Sequence, residues 1–367
     1  MYSFFGQNTK LDLQNSDYKA ILLTELKNYA TNQTNADLII TDNWTDFTFQ
    51  VLGNNPKSHF FYENSIHIKE KMMDVAFVFS ETKKLIKIYF KLHTAPNYFR
   101  KTLRKWLNMQ FTNRNDNITQ IFHENVLIPM TFFIDNLAPI HASGFAINKK
   151  GVLLGGTGGV GKTTLELDNC LDKKATFITD DIAIVNNKQQ VYPNLNQPKI
   201  YGYNLVGNQK LTQIVFKKLS LINKLHWFLH KNIFGVDKVR RKISANELYP
   251  NVAKDKTELH TYYILLKRNC KSITKTNIAK KEAIKTSLNV IKTEYNYFFN
   301  HIKWHEFNAV LLNKKPVYTM LDLEKKWTSV LNETFENANV QVLHIPIDYT
   351  HQEFKKQMQH FLFVENK

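Results

Sequence analysis

The sequence predicts an α/β protein of two domains, an N-terminal α+β domain over 1–135 and a C-terminal α/β domain over 136–367. Two observations predict this division. The chain has 367 residues, which is long for a single hydrophobic core. Short β-like runs alternate with amphipathic helical stretches in the first part, whereas a hairpin, a glycine-rich loop and a helix follow one another soon after Pro139.

Secondary structure in the first domain is predicted from hydrophobic periodicity. Short apolar runs predict strands over 47–52, 75–79 and 85–90, and helical spacing predicts helices over 18–29 and 95–111. The second of these helices carries a basic face, which we interpret as solvated surface. We expect this domain to recognise a substrate or to mediate assembly.

The second domain opens with the most informative stretch of the chain. Two short apolar runs, 143–147 and 152–154, are separated by a polar turn at 148–151, and this pattern predicts a β-hairpin. The hairpin leads into a glycine-rich loop, and a helix is predicted directly after the loop, over 162–171. The order strand, glycine loop and helix is typical of a phosphate-binding site.

The remainder of the second domain continues the α/β pattern. The segment ATFITDDIAIV predicts a β-rich run that Asp180 and Asp181 interrupt. A lysine-rich stretch over 210–242 is predicted to be helical, and a strand is predicted over 260–266. The segment VQVLHIPID predicts a terminal strand.

The charge of the chain invites a nucleic-acid ligand, but the residues argue against one. The net charge is +17, and lysine rather than arginine supplies most of the 49 basic residues, a bias that an AT-rich genome produces. The sequence carries no RNA-binding or zinc-finger signature. We therefore do not expect nucleic acid as a partner, whereas an acidic or phosphorylated partner and a homo-oligomer both stay open.

Several features favour a soluble protein of the cytoplasm. Cys170 and Cys270 show no metal-ligand spacing and imply no disulfide framework, which fits a reducing compartment. The N-terminal segment lacks the pattern of a signal peptide. No apolar run approaches the roughly 20 residues that a membrane helix needs, so no membrane span is expected.

Residues 156–163 carry the strongest motif of the sequence. They match G-x-x-x-x-G-K-[ST] at every fixed position, between a predicted strand and a predicted helix. Glycines let backbone N–H groups turn toward an anion, and the start of the helix adds its positive end. The Lys162 ammonium is expected to reach the β and γ phosphates, and the Thr163 hydroxyl to bind Mg²⁺. The predicted ligands of ATP or GTP are Gly156, Thr157, Gly158, Gly159, Val160, Gly161, Lys162, Thr163 and Thr164.

Asp180 and Asp181 are the second candidate group. Consecutive strand residues point to opposite faces, so the pair must lie at a strand end or bend, or divide its roles. Two charges among apolar residues need Mg²⁺ or a hydrogen-bond partner. One carboxylate on the metal and the other as base for an attacking hydroxyl would meet both conditions. His141 is, by itself, more typical of a packed or capping histidine.

Together, HASGFAINKKGVLLGGTGGVGKTTL and ITDDIAIV resemble the catalytic core of the HPr serine kinase/phosphorylase family. That family has a histidine ahead of a hairpin, a phosphate loop, a helix and an Asp-Asp pair, and His141, the loop and Asp180-Asp181 occur here in the same order. The resemblance covers 141–187. It implies a mixed-sheet, P-loop kinase domain of the phosphoenolpyruvate carboxykinase type at the C-terminal end of the chain.

The resemblance also implies Mg²⁺-dependent transfer of phosphate from ATP to a serine-like hydroxyl of a protein, peptide or small molecule. Carried over by position, Thr163 and Asp180 serve the metal, Asp181 is the catalytic base and His141 lies near the reacting groups. One departure is Lys199, which stands where the Glu-Ile-Arg-Gly segment of the family has a metal-holding glutamate. This departure argues against a phosphorylase activity and against HPr itself as the substrate.

The leading hypothesis is thus an ATP-dependent kinase, and the alternative is an ATP-hydrolysing switch or assembly factor without a phosphate acceptor. The signatures of transporter ATPases and GTPases are missing, and the ligands of a decarboxylating carboxykinase cannot be located. A charge-stabilising arginine would suit phosphoryl transfer. Arg240 and Arg241 are candidates for it, but we favour a basic surface turn there.

Overall fold

The structure is a computed structural model that describes residues 1–70, 72–93, 106, 110, 114–172 and 175–364. The described strands are β1 Tyr2–Phe4, β2 Gln7–Asp12, β3 Leu38–Thr41, β4 Gly53–Asn54, β5 Phe60–Tyr62, β6 Ser65–Lys69, β7 Met73–Phe79, β8 Leu85–Leu92, β9 Leu137–Ile140, β10 Ala142–Ile147, β11 Lys150–Gly155, β12 Thr176–Thr179, β13 Ala183–Asn186, β14 Gln190–Tyr192, β15 Lys199–Tyr201, β16 Arg240–Lys242, β17 Thr257–Arg268, β18 Thr274–Asn277 and β19 Asn339–Pro346.

The described α-helices are α1 Ser16–Glu25, α2 Arg114–Phe122, α3 Ile128–Thr131, α4 Lys162–Cys170, α5 Gly202–Leu205, α6 Gln209–Lys218, α7 Leu221–Phe234, α8 Ala245–Leu248, α9 Lys280–Glu294, α10 Asn296–Leu311, α11 Met320–Thr334 and α12 His351–Val364. Two 3₁₀ helices cover Leu26–Tyr29 and Trp44–Asp46, and a π-helix covers His123–Leu127. No helix in the described part of the chain is long and apolar enough to cross a membrane.

The chain groups into two compact units whose ranges interleave. The first contains Met1–Pro96, Arg114–Pro139 and Ile291–Leu331, and the second contains Asn97–Asn113, Ile140–Val290 and Asn332–Lys367. This grouping differs from the continuous boundary expected between 135 and 136. The reason is that α10 packs on the N-terminal sheet, for example through the ring of Phe298, whose centroid lies 5.9 Å from that of Phe77 on β7.

The first unit is built on an eight-stranded sheet in the order β1-β2-β3-β8-β7-β6-β5-β4. The β2–β3 and β3–β8 pairs are parallel and the other pairs are antiparallel. The strands predicted over 75–79 and 85–90 are confirmed as β7 and β8, and the helix predicted over 18–29 is confirmed as α1 and the 3₁₀ helix after it. Most of the helix predicted over 95–111 lies outside the described residues.

The prediction of a strand over 47–52 is wrong, since the chain there is irregular. The first residue of this stretch, Phe47, packs on the sheet instead of extending it. The Phe47 ring lies 5.3 Å from that of Tyr89 on β8 and 5.2 Å from that of Tyr62 on β5. Packing therefore accounts for Phe47, whereas Phe49 and Val51 of the same stretch are exposed.

The second unit contains a mixed sheet, so the chain is a mixed α/β protein. The strands β12-β10-β11-β17-β14-β13 are neighbours in that order, and β19 pairs with both β17 and β18. β11 and β19 run parallel to β17, whereas β10 runs antiparallel to β11 and β12. The strand predicted over 260–266 is confirmed as part of β17, which is central to this sheet.

The predicted hairpin and the helix after it are confirmed. β10 pairs with β11 in register from Ala142 opposite Gly155 to Ile147 opposite Lys150. Asn148 and Lys149 form the turn with φ of 51° and 66°, which is the left-handed geometry of the two-residue turns that suit hairpins. The helix predicted over 162–171 is α4, Lys162–Cys170.

Two further expectations are corrected. The stretch 210–242 forms α6 and α7 as expected, but its end, Arg240–Lys242, is the strand β16, paired with β15, and not a surface turn. Arg241 is 1% exposed because polar groups of α7 surround its guanidinium. The strand at VQVLHIPID is β19, but it is not terminal, because the helix α12 follows it.

Candidate functional site

The glycine loop, residues 156–161, connects the end of β11 to the start of α4. Gly156 has φ of 130°, and a Cβ atom built there would lie 2.8 Å from the carbonyl oxygen of Leu265, so glycine is required at this position. Cβ atoms built at Gly158 and Gly159 would meet no atom within 4 Å, and Thr157 is exposed. The outer side of the loop is therefore open enough to admit a ligand.

The inner side of the loop rests on α12. Gly161 has φ of 104°, and a Cβ atom there would lie 2.4 Å from the ring of Phe354 on α12. Val160 is buried. An ion pair of 2.5 Å between Lys355 and Asp168 joins α12 to α4. The loop is thus packed from below by a helix that the sequence pattern had not predicted.

The polar side chains at the start of α4 have distinct partners. The buried Lys162 Nζ donates to the carbonyl oxygens of Gly156 and Thr157, both at 2.9 Å. The Thr163 hydroxyl donates to Asp180 Oδ1 at 3.1 Å. The buried Thr164 hydroxyl accepts from Asn204 Nδ2 at 3.2 Å. Lys162 and Thr163 therefore face the loop and the aspartate pair, while Thr164 contacts α5.

Asp180 and Asp181 lie at the bend between β12 and β13, which is one of the alternatives expected from strand geometry. Asp180 is buried and faces inward. Its Oδ1 accepts from the Ser143 hydroxyl at 3.0 Å as well as from Thr163, and its Oδ2 accepts from the backbone N–H of Lys199 at 3.3 Å. Hydrogen bonds from three separate segments thus hold this carboxylate beside the glycine loop.

Asp181 faces a different set of partners. Its φ is 73°, in the left-handed region, and this turns its carboxylate away from that of Asp180. Oδ1 lies 3.0 Å from Nε2 of the buried His141, and Oδ2 accepts from Lys199 Nζ at 2.8 Å. Burial alone raises the pKa of Asp181, but the charge of Lys199 and the hydrogen bond from His141 outweigh it and hold that pKa well below its usual value.

Glu166 and Tyr249 lie behind the site, and sequence reasoning missed both. Glu166 is fully buried on α4, and its Oε1 accepts a hydrogen bond from the Tyr249 hydroxyl. Burial, followed by the nearby charge of Asp180, raises the pKa of Glu166 well above its usual value. The position of Glu166 between Leu165 and Leu167 was the only sign in the sequence that this acidic side chain is buried.

The two candidate arginines lie on β16, next to β15, which carries Lys199. The guanidinium of Arg240 donates to Gln110 Oε1 at 3.3 Å and to the Tyr201 hydroxyl at 3.4 Å. Arg241 is buried against α7, and burial lowers its pKa to about 10. Arg241 therefore has a structural role, and Arg240 is the half-buried one of the two.

The chain has only weak similarity to known proteins. No protein-family model matches the chain, and no curated protein matches it. Among solved structures, the chain is similar to the HPr(Ser) kinase/phosphatase from Coxiella burnetii, with 13% sequence identity and a TM-score of 0.25, over 63% of this chain and 99% of that chain. So low a TM-score does not establish a common fold.

Proposed function

We propose that this protein is an HPr kinase-like, Mg²⁺-dependent kinase that transfers the γ-phosphate of ATP to a serine-like hydroxyl of a protein, peptide or small molecule. The observation that carries the proposal is the 3.1 Å hydrogen bond from Thr163 Oγ1 to Asp180 Oδ1. It joins the start of α4, directly after the glycine loop, to Asp180, and phosphoryl transfer needs a phosphate cradle and carboxylates in one place. We also propose that 136–367 forms the P-loop kinase domain.

In this proposal the loop holds the phosphates of the nucleotide. Residues 156–164 supply backbone N–H groups and the N-terminal end of α4, which favour an anion. The open space over Gly158 and Gly159 fits a ligand that approaches the backbone closely. The Lys162 ammonium donates hydrogen bonds to two loop carbonyls and would exchange them for hydrogen bonds to phosphate oxygens.

Thr163 and Asp180 would hold Mg²⁺. Both present oxygen atoms, the donors that Mg²⁺ prefers, and they already lie within hydrogen-bond distance of each other. When bound, Mg²⁺ neutralises charge on the phosphates. Within the described ranges no three His, Cys, Asp or Glu side chains form a ready-made metal cage. Magnesium sites at phosphates are usually built from one or two carboxylates, with water and phosphate supplying the other ligands.

Asp181 would orient the acceptor hydroxyl and take its proton. Its side chain is 39% exposed, so an acceptor can reach it. Its low pKa makes it a weak base, which suffices because bonding to the incoming oxygen is slight in a loose phosphoryl-transfer transition state. His141 and Lys199 would keep the carboxylate in place, and the Lys199 charge would stabilise negative charge near it.

The setting of this activity is also part of the proposal. We place the protein in the cytoplasm, where ATP is available, and assign acceptor recognition or assembly to residues 1–135. A serine-containing acceptor with acidic groups would suit the net charge of +17. The identity of that acceptor would follow from the transfer experiment below.

The experiment is a transfer assay with γ-labelled ATP and Mg²⁺ on free serine, threonine, short peptides and a cell extract. We expect label on an acceptor with the wild-type protein and none with Asp181→Asn. Asp172→Asn is the matched control, because Asp172 forms an exposed ion pair with Lys210, and it should transfer label normally. Release of label only as inorganic phosphate would refute the kinase and favour an ATP-hydrolysing switch.

A further inference from the structure

The helix α7 exposes an apolar face to solvent. Most soluble helices turn their apolar stripe toward the core, and α7 does the reverse. Six of its exposed apolar side chains, which we name the α7 apolar face, are Leu221, Ile222, Leu225, Phe228, Leu229 and Ile233. Leu221 is 83% exposed and Ile233 is 68% exposed. At helical spacing these residues form one continuous strip along the helix.

The orientation of α7 is fixed by its polar side. Arg241 Nε donates to Asn223 Oδ1 at 2.5 Å, and Arg241 Nη2 lies 2.9 Å from His226 Nδ1. The same guanidinium lies 5.1 Å from the ring centroid of the buried Trp227. The rings of His226 and His230 stack with their centroids 3.8 Å apart. Rotating the helix to bury its apolar strip would break these contacts. The exposure of the strip is therefore built into the fold.

The segment of the chain that contains α7 carries no acidic residue. From 182 to 236 the sequence contains lysines but no aspartate or glutamate. Lys224 and Lys231 lie on α7 itself, to one side of the apolar face, and Lys217 is exposed near the end of α6. A ring contact of 5.8 Å between Phe216 and Phe228 connects the two helices. The surface is thus an apolar strip flanked by lysines.

We propose that the α7 apolar face docks on an anionic lipid bilayer, with the helix lying in the plane of the membrane surface. Apolar side chains would enter the acyl boundary while Lys217, Lys224 and Lys231 bind lipid phosphates. A second copy of the chain is a poorer occupant, because a symmetric contact would bring two lysine-flanked helices together. This inference does not depend on the proposed kinase activity.

The test is flotation of the full-length protein with vesicles of phosphatidylcholine alone or mixed with phosphatidylglycerol. We expect binding to the mixed vesicles, weakened by high salt, and little binding to phosphatidylcholine. Lys224→Gln with Lys231→Gln should lower the affinity by about 25-fold, from about fivefold for each lysine. Leu225→Glu with Phe228→Glu should abolish binding, and the two side chains are 54% and 52% exposed.

Val310→Glu is the matched control, since Val310 is 73% exposed on α10 and has no place in the α7 apolar face. It should bind vesicles like the wild type. The proposal is overturned if the wild-type protein ignores anionic vesicles, or if the Leu225→Glu, Phe228→Glu variant binds them unchanged while its circular dichroism and melting temperature match the wild type. Conversion of a dimer to a monomer by that variant, without any vesicle binding by the wild type, would assign the face to a second copy.

Discussion

Replacing Gly161 by alanine tests how the glycine loop is supported. Gly161 adopts φ of 104°, where a residue with a Cβ atom is strained, and the added methyl would lie 2.4 Å and 2.5 Å from two ring atoms of Phe354. A carbon at that distance cannot be accommodated without movement. Phe354 belongs to α12 and is buried, so either the loop or that helix must shift.

The expected cost combines two terms. The left-handed backbone contributes about 1–2 kcal/mol once a side chain is present. Overpacking against the buried ring contributes about 1–3 kcal/mol. We therefore expect Gly161→Ala to lower the free energy of unfolding by about 2–5 kcal/mol, a large part of the total stability of a typical domain.

The assay is urea unfolding followed by circular dichroism, with Gly158→Ala as the matched control. A Cβ atom at Gly158 would meet nothing within 4 Å, so this variant should keep the stability of the wild type within about 1 kcal/mol. A loss of stability that is equal in the two variants, or absent from Gly161→Ala, would refute the packing of the loop on α12.

Three further predictions concern the carboxylates of the site. Lys199→Gln should raise the pKa of Asp181 toward its usual value, which carboxyl NMR would detect, whereas an unchanged pKa would contradict the charge argument. Since the pKa of folded Asp181 lies below its ordinary value of 3.8, its contribution to stability is present above that pH and is lost as the pH falls through the folded pKa. Asp181→Asn should therefore flatten acid unfolding in that range, and a curve like that of the wild type would exclude this role. Tyr249→Phe removes the hydrogen bond to the buried Glu166 and should lower the free energy of unfolding by about 1–3 kcal/mol. A melting temperature equal to that of the wild type would contradict this role of the bond.

The hairpin, the glycine loop and α4 could be predicted from the sequence because each follows from local chemistry. Asn148 tolerates the left-handed turn, the glycines permit the loop, and apolar spacing marks the helix. The bend at Asp180 and Asp181 could also be predicted, since a regular strand cannot turn both carboxylates to one face. Motifs of this kind depend on residues that are close in the chain.

The contacts that complete the site could not be predicted. Lys199 reaches Asp181 across 18 residues of chain, and Ser143 reaches Asp180 across 37. Pairs of this kind depend on strand order, which a single sequence does not specify. The burial of Glu166 behind the site has the same origin, because its partner Tyr249 is 83 residues away.

The grouping of the chain depends on long-range packing as well. Residues 291–331 join the first unit because aromatic residues of α10 pack on its sheet. No local pattern in the sequence indicates that this part of the chain belongs to the first unit. The apolar residues of 47–52 led to an incorrect prediction of a strand. Their periodicity is that of a strand, but Phe47 packs with Tyr62 and Tyr89 instead.

Calorimetric titration of the protein with ATP and Mg²⁺ tests the central claim, that residues 156–164 bind a nucleotide, most directly. We predict saturable binding by the wild type and none by Lys162→Ala, because the variant lacks the ammonium that we propose to bind phosphate. Lys188→Ala, which alters an exposed lysine in the turn between β13 and β14, should bind like the wild type. Equal affinity in Lys162→Ala, or no binding by a folded wild-type protein, would contradict the claim.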